Sequence, residues 1–366
     1  MNSVVDYFVS ILNPLNLNFS LVFLIAVLIP GLIIFLVMTV NAIVAVYMER
    51  KVSAFMQDRL GPMEVGIFGF KGGRKFWGGI GQTIADAVKL LAKEDIIPSG
   101  ADKFLMLLAP FIIFLGAFVT FVGVPLSEDF LISDFNIGVF YIVAMSSVGV
   151  IGIILAGWSS NNKWSLYGSM RAAAQIISYE IPIGLTILIP ILLAGSMQIS
   201  EIVAWQESNR WILFHSPFTV IAFGIFFVSA VAETNRVPFD IPEAESELVA
   251  GWMTEYSGFR WSLFFLSEYT NMLIVSIVAA IVFLGGWASP LTVFSFLPNA
   301  WGVLDGPIWG CFWLLLKAIV LIFIMMWFRW TFPRLRVDQL MYLCWKVFIP
   351  FALFNLLAIC IWELVI

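Results

Sequence analysis

The chain has 366 residues, 61% of them hydrophobic and only 12% charged, with a mean hydropathy of +0.99. Soluble domains average about 25% charged residues, so this composition excludes a soluble enzyme and indicates an all-α polytopic membrane protein built as a single membrane domain. The net charge of −5 carries no information until it is divided between the two membrane faces.

Eight apolar stretches of about 17–26 residues have the length a helix needs to cross the hydrocarbon core. These transmembrane helices are predicted near 21–46, 104–124, 138–156, 172–194, 217–233, 264–285, 309–328 and 347–365. The connections fall alternately on two faces. Loops 47–103, 157–171, 234–263 and 329–346 share one face and hold every basic residue except Arg210, on the opposite face, and Lys317, inside a span. The positive-inside rule then predicts that these four loops are cytoplasmic and that both termini lie on the outer, periplasmic side of a cell inner membrane. The N-terminus lacks a basic n-region, so no cleavable signal peptide is predicted.

In chain order, the first long loop opens with Met-Glu-Arg-Lys, which contains Arg50, and continues to Gln57-Asp58-Arg59-Leu60-Gly61-Pro62. A Gly-rich basic stretch follows, Lys71 to Lys75. It lacks the GxxxxGK[ST] pattern of a phosphate loop. Over 80–92 the apolar residues Ile80, Ile84, Ala87, Val88 and Leu91 recur at helical spacing, while Asp86, Lys89 and Lys93 take the other face. This predicts an amphipathic helix lying in the membrane interface. Such a helix serves either as a plain anchor or as the frame of an opening for a lipid-like molecule. The polar loops Gly157–Arg171 and Arg329–Gln339 read as docking surface for something cytoplasmic.

Three carboxylates interrupt the apolar pattern. Glu180 lies about two helical turns into the fourth span, Glu233 ends the fifth, and Glu268 lies about one turn into the sixth. A charge near the bilayer interior costs roughly 2.5–3.5 kcal/mol even on a lenient scale. With the predicted orientation all three sit at similar depth on the cytoplasmic side of the midplane. They are either helix-end carboxylates held by nearby arginines or the walls of a buried polar cavity. Pro182 and Pro190 in the fourth span favour the cavity, since prolines release backbone carbonyls that need other partners.

The 234–263 loop reads Thr-Asn-Arg-Val-Pro-Phe-Asp-Ile-Pro-Glu-Ala-Glu-Ser-Glu-Leu. Pro238 and Pro242 break any long helix. Glu243, Glu245 and Glu247 follow Asp240 closely. Carboxylates so crowded raise one another's pKa and can exchange protons near neutral pH; alternatively they decorate a helix N-terminus. Cys311, Cys344 and Cys360 have no CxxC spacing, and His215 is the lone histidine. The sequence therefore points to no disulfide frame, iron–sulfur site, bis-histidine haem or metal site, and no residue is assigned a catalytic role.

Taken in order from about 47 to 347, these segments resemble one family. Met-Glu-Arg-Lys…Arg-Leu-Gly-Pro, Gly-Trp-Ser-Ser-Asn-Asn-Lys, Ser-Tyr-Glu, Ala-Glu-Thr-Asn-Arg-Val-Pro-Phe-Asp, Glu-Ala-Glu-Ser-Glu-Leu and Pro-Arg-Leu-Arg-Val-Asp-Gln-Leu are similar to stretches of one membrane-subunit family of respiratory complex I, the one that adjoins its peripheral arm. Complex I is the proton-translocating NADH–quinone oxidoreductase of the respiratory chain. The resemblance implies eight spans and a subunit that forms much of the quinone-access tunnel, ubiquinone or another quinone being the substrate. It also implies a line of buried carboxylates leading from quinone chemistry to proton translocation. Carried onto this chain, Glu180, Glu233, Glu268, Asp240, Glu243, Glu245 and Glu247 match the proton-coupling groups, and Arg50, Arg59, Arg236 and Arg329 match basic residues along the tunnel. Residues 80–92 match the interfacial helix at its entrance, and Lys317 matches a lysine of less defined role.

The partners implied are peripheral-arm quinone-site subunits on the cytoplasmic face, neighbouring small membrane subunits and the lipid bilayer, with no nucleic acid. NADH, FMN and iron–sulfur clusters are expected on partner subunits, none bound covalently here. The segments 63–81 and 286–308 look extended relative to the family. Competing readings are a homologous membrane subunit of a hydrogenase or formate hydrogenlyase-type complex, or an ion-coupled secondary transporter. The transporter would show internal repeats with broken helices in matching halves, and no convincing repeat is present.

Overall fold

The computed structural model describes Val9 and residues 19–66, 78–128, 133–242, 245–290 and 306–365. Among them the regular structure is helical. Helix α1 is Phe19–Met56, α2 Gly81–Ala92, α3 Lys103–Val122, α4 Gly138–Ser146, α5 Val148–Ser159 and α6 Lys163–Ala194. Then come α7 Ile199–Ser208, α8 Pro217–Glu233, α9 Glu245–Leu248, α10 Gly258–Phe283, α11 Pro307–Thr331, α12 Val337–Tyr342 and α13 Ile349–Val365. Among the described residues, seven helical segments are long and apolar enough to cross a membrane, and α8 is a shorter apolar helix of 17 residues. This is a polytopic all-α membrane fold.

Several helices run beyond their apolar stretches because capping residues, rather than hydropathy, set their ends. The 38 residues of α1 span about 57 Å at 1.5 Å per residue, well beyond a hydrocarbon core of about 30 Å. Its last turns therefore carry Glu49 and Arg50 out of the apolar stretch while still helical. Helix α6 begins nine residues before the predicted span because the Asn162 side chain accepts from the Trp164 amide at 2.9 Å. It stops at Gly195, whose φ of 71° is the left-handed C-cap conformation, with its N–H bonded to Ile191 O. The Asp102 side chain caps α3 and Ser216 caps α8, where Pro217 opens the helix without losing a bond.

Small residues set the packing. An added Cβ at Gly152 of α5 would stand 2.4 Å from Ile113 Cγ1 of α3, and one at Gly168 of α6 would stand 2.8 Å from Gly251 Cα. Close backbone approach of this kind is how membrane helices gain packing energy without a hydrophobic drive between them. The innermost helix is α10, where every residue from Ser276 to Phe283 is buried. Around it the main core joins Met38, Tyr179, Phe226, Met272, Ile277, Leu321 and Ile322. A second core gathers Met106, Ile153, Ile176, Trp252, Tyr256 and Phe264. The outward faces of α1 and α13 expose Leu24, Leu28, Leu32 and Leu36, and Phe351, Phe354 and Ile361, as a lipid-facing surface does.

The four basic loops meet at one end of the bundle. Asn161 Nδ2 donates to Gly100 O, Asn162 Nδ2 to Glu255 Oε1 at 2.7 Å, and Leu335 N to Pro238 O at 3.0 Å. Arg260 pairs with Asp95 across the same end. There the amphipathic helix α2 is tied to α1 by the Arg50–Asp86 ion pair of 2.7 Å, and its apolar residues Ile84, Val88 and Leu91 stay exposed. At the opposite end, Lys317 Nζ donates to the carbonyls of Leu284, Gly286 and Ala288 at 2.7, 2.8 and 2.7 Å and lies over the Trp211 ring. A lysine inside a span is thus satisfied by the carbonyl end of α10.

Candidate functional site

The loop after α8 begins where Glu233 ends the helix. Asn235 takes a φ of 52°, a conformation Asn tolerates better than most residues. That turns the chain back, with Arg236 N bonded to Val231 O and Phe239 N to Arg236 O at 2.8 Å. Gln175 of α6 holds the loop from below, its Nε2 within reach of Ala232 O at 2.8 Å, Asn235 Oδ1 at 3.1 Å and Phe239 O at 2.8 Å. The buried Phe239 packs on Tyr179 with ring centroids 5.6 Å apart. Arg236 is thereby driven into the protein, where it is 5% exposed.

Arg236 meets two carboxylates there. Its Nη1 lies 3.0 Å from Glu49 Oε2, and its Nε lies 2.9 Å from Glu268 Oε1. The guanidinium also covers the Tyr269 ring at 4.5 Å, and the Tyr269 hydroxyl donates to Glu49 Oε2 at 2.6 Å. Arg329, at the end of α11, pairs with Glu49 Oε1. On the loop, Arg334 Nη2 lies 2.9 Å from Asp240 Oδ2. Three carboxylates therefore face three guanidiniums, so the cluster is balanced when all are ionised. Burial alone would lower the Arg236 guanidinium, but Glu268 and Glu49 outweigh it and hold it above its ordinary value. Burial pushes the Asp240 carboxyl up, against the pull of Arg334 and Arg329. The Asp240 Oδ1 atom is buried and lacks a hydrogen-bond partner among the described residues.

A second group lies between α4, α6 and α8. Glu233 sits beside Glu180 and the Ser146 hydroxyl. Glu180 Oε1 is buried without a hydrogen-bond partner among the described residues. Pro182 lies inside α6, two residues after Glu180. The three span carboxylates read from sequence thus divide: Glu180 and Glu233 stand together, while Glu268 belongs with Arg236.

The remaining predicted residues are spread more widely. Arg50 and Arg59 line a cavity of about 480 Å³ with Ser53, Leu60, Gly61 and Pro62. Arg59 is exposed, with its Nε donating to Gln57 Oε1 at 2.7 Å. The four arginines therefore form two pairs, Arg50 with Arg59 and Arg236 with Arg329. Glu247 pairs with Arg171 at 2.6 Å on an exposed surface. Glu245 opens α9; Glu243 lies outside the described residues, as do much of the extended 63–81 and 286–308 segments.

Glu49 escaped the sequence reading, although it is the hub of the cluster. Its signal was present: a carboxylate one helical turn beyond the buried Ala45 and Val46, on a helix that does not stop where its hydropathy falls. Tyr269 gave no signal, since an aromatic inside an apolar span is ordinary.

Comparison with known proteins adds a family. The profile described as NADH dehydrogenase matches residues 29–360. The chain is 51% identical over 328 residues to the H subunit of NADH-quinone oxidoreductase from Chlorobaculum tepidum, covering 87% of each chain. It is 49% identical over 329 residues to the same subunit from Bacteroides thetaiotaomicron, covering 89% of this chain and 88% of that one. It is 45% identical over 332 residues to that from Anaeromyxobacter dehalogenans, covering 88% and 78%.

Proposed function

Because the chain belongs to the NADH dehydrogenase family, as a membrane subunit of respiratory complex I, we propose that it forms much of the quinone-access tunnel and passes the consequence of quinone reduction to proton translocation through its buried carboxylates. The basic end then faces the cytoplasm and the peripheral-arm subunits that close the quinone site, with both termini periplasmic. NADH, FMN and iron–sulfur clusters belong to partner subunits, which deliver the electrons.

Each residue set has a part in this reading. The interfacial α2, fixed to α1 by Arg50 and Asp86, frames the entrance, where its exposed apolar face meets lipid. Arg50 and Arg59 line the cavity at that entrance. Reduction of a quinone to a quinol takes up two electrons and two protons and so changes the charge beside the loop that carries Asp240, Glu243, Glu245 and Glu247. Arg236 does not release its proton, and Glu49 is paired with both Arg236 and Arg329, which favours its ionised form, so within the buried cluster the proton-exchanging members are Asp240 and Glu268. Glu233 and Glu180 continue the path into the bundle. Two like-charged groups held side by side away from water resist double ionisation, which suits a site that holds and hands on one proton. A ligand shifts such an equilibrium only by interacting differently with its two states, and quinone and quinol differ in that way beside a charged loop.

The observation that carries the reading is the buried Glu49–Arg236–Glu268 cluster, built at the end of the loop that holds Asp240 and one turn from Glu233. The test uses the intact complex with a photoreactive quinone analogue. Labelling within 50–62 or 234–242, removed by excess natural quinone, is the expected result. Labelling confined to partner subunits while NADH-driven reduction continues contradicts the tunnel assignment.

A further inference from the structure

Pro182 creates a defect in α6 that another helix repairs. Proline has no N–H, so the carbonyl four residues earlier, that of Ser178, has no helical donor and is pushed aside by the ring. In a span, such a carbonyl needs a partner from a neighbour. The partner is Cys344, fully buried on the last span, whose Sγ donates to Ser178 O at 3.0 Å. Next to it, Trp345 Nε1 donates to Ser178 Oγ at 3.3 Å. From the other side, the Tyr179 hydroxyl donates to Leu340 O at 3.0 Å. Three hydrogen bonds thus fasten residues 178 and 179 to residues 340–345, and Glu180 is the next residue of the same turn.

The last span is shaped to make this contact. Between α12 and α13 the chain forms a π-helical turn over Leu343–Phe348. At about 100° per residue, an unbroken α-helix would carry Ala352 about 120° and Ile359 about 100° around from Leu340. A π-turn absorbs one extra residue, which brings Ala352, Asn355 and Ile359 back to within about 40° of Leu340, on the side of the helix that also carries Cys344. All five are buried. The distorted turn is what allows one span to pack along its whole length and still present the Cys344 thiol to the freed carbonyl.

We infer that Cys344 and Trp345 are positioning residues for Glu180, holding the proline-containing turn of α6 in the geometry that sets its carboxylate beside Glu233. This rests on the proton-coupling reading of Glu180 given above. Neither residue touches quinone or exchanges a proton in the path. They act through the backbone of Ser178 and Tyr179.

The test compares whole complexes carrying Cys344→Ala, Cys344→Ser, Trp345→Phe and Glu180→Gln, reconstituted in liposomes. Proton pumping per NADH oxidised is read across pH, and the thiol S–H stretching band is read by infrared difference against Cys344→Ser. In the native complex the Cys344 band is expected at the displaced position of a thiol bonded to a carbonyl. Cys344→Ala is expected to lower pumping about two- to tenfold, the scale of one lost buried hydrogen bond, and to shift its pH profile. Cys344→Ser keeps a donor and restores both. If Cys344→Ala fails to assemble, Trp345→Phe carries the same test with the ring retained. If Glu180→Gln abolishes pumping while Cys344→Ala and Trp345→Phe match the native complex, the inference fails and the proton-coupling reading stands. If Glu180→Gln is itself silent, the proton-coupling reading fails, and the positioning inference falls with it.

Discussion

Glu49 and Arg236, 187 residues apart in sequence, form a buried ion pair 3.0 Å long at the basic end of the bundle. The same guanidinium holds Glu268, and the same carboxylate receives Arg329 and the Tyr269 hydroxyl. Four segments of the chain therefore converge on one charged centre that none of them could hold alone. Its value lies less in net stability than in what happens when one member is lost, because a buried charge left unpaired is costly.

Arg236→Met leaves Glu49 and Glu268 facing each other without their shared cation. The expected destabilisation is about 3–5 kcal/mol, read as a lower melting temperature of the purified complex or as failed assembly on native gels. Arg236→Lys keeps the charge but has no fork to reach both carboxylates, so its loss falls between native and Met.

Asp240 gives a pH signature with a definite sign. Burial raises its carboxyl in the folded protein despite Arg334, so the folded state binds the proton more tightly than the unfolded state does. The stabilisation from the neutral form is complete below the ordinary aspartate value of about 3.9 and is lost as pH rises through the raised folded value. Amide exchange of residues 236–242 should therefore quicken across that window as pH rises, after correction for intrinsic exchange rates. Asp240→Asn should remove the dependence, and Arg334→Gln should move it to higher pH. A pH-independent native profile contradicts the burial argument.

Lys317 serves the fold at the end of the bundle away from the cluster. Lys317→Met leaves three carbonyls at the end of α10 without their donor. A buried unsatisfied group costs about 1–3 kcal/mol, so the melting temperature should fall while NADH–quinone reduction per assembled complex is unchanged. A selective loss of turnover without loss of stability would move Lys317 into the functional path.

The orientation is open to direct labelling. A cysteine at Arg210 should react with a membrane-impermeant thiol reagent added outside intact cells, and one at Lys163 should react only after the membrane is opened. The reverse pattern contradicts a cytoplasmic basic end.

The helical membrane fold was legible because each span buries its backbone polar groups within itself, so hydropathy alone marks it. The interfacial α2 was legible from its periodicity, with Ile84, Val88 and Leu91 on one face. The partners of the charged residues were not, because nothing local to Arg236 specifies a carboxylate on α1. Glu49 was passed over because hydropathy ends the first span near residue 46, whereas α1 carries it on to the basic end of the bundle. The need at Ser178 was written in the sequence, since Pro182 dictates an orphaned carbonyl. Its donor was not, because Cys344 reaches it only through a π-turn that no residue pattern announces.

The central claim is that the buried carboxylates link quinone chemistry to proton movement, and the most direct test is proton pumping per NADH oxidised in liposomes holding complexes with Glu233→Gln and Glu180→Gln. Each substitution removes an exchangeable charge and keeps the shape. The account predicts pumping lost in both variants, with assembly and cluster content intact. Quinone reduction and pumping both at native levels in both variants would contradict it.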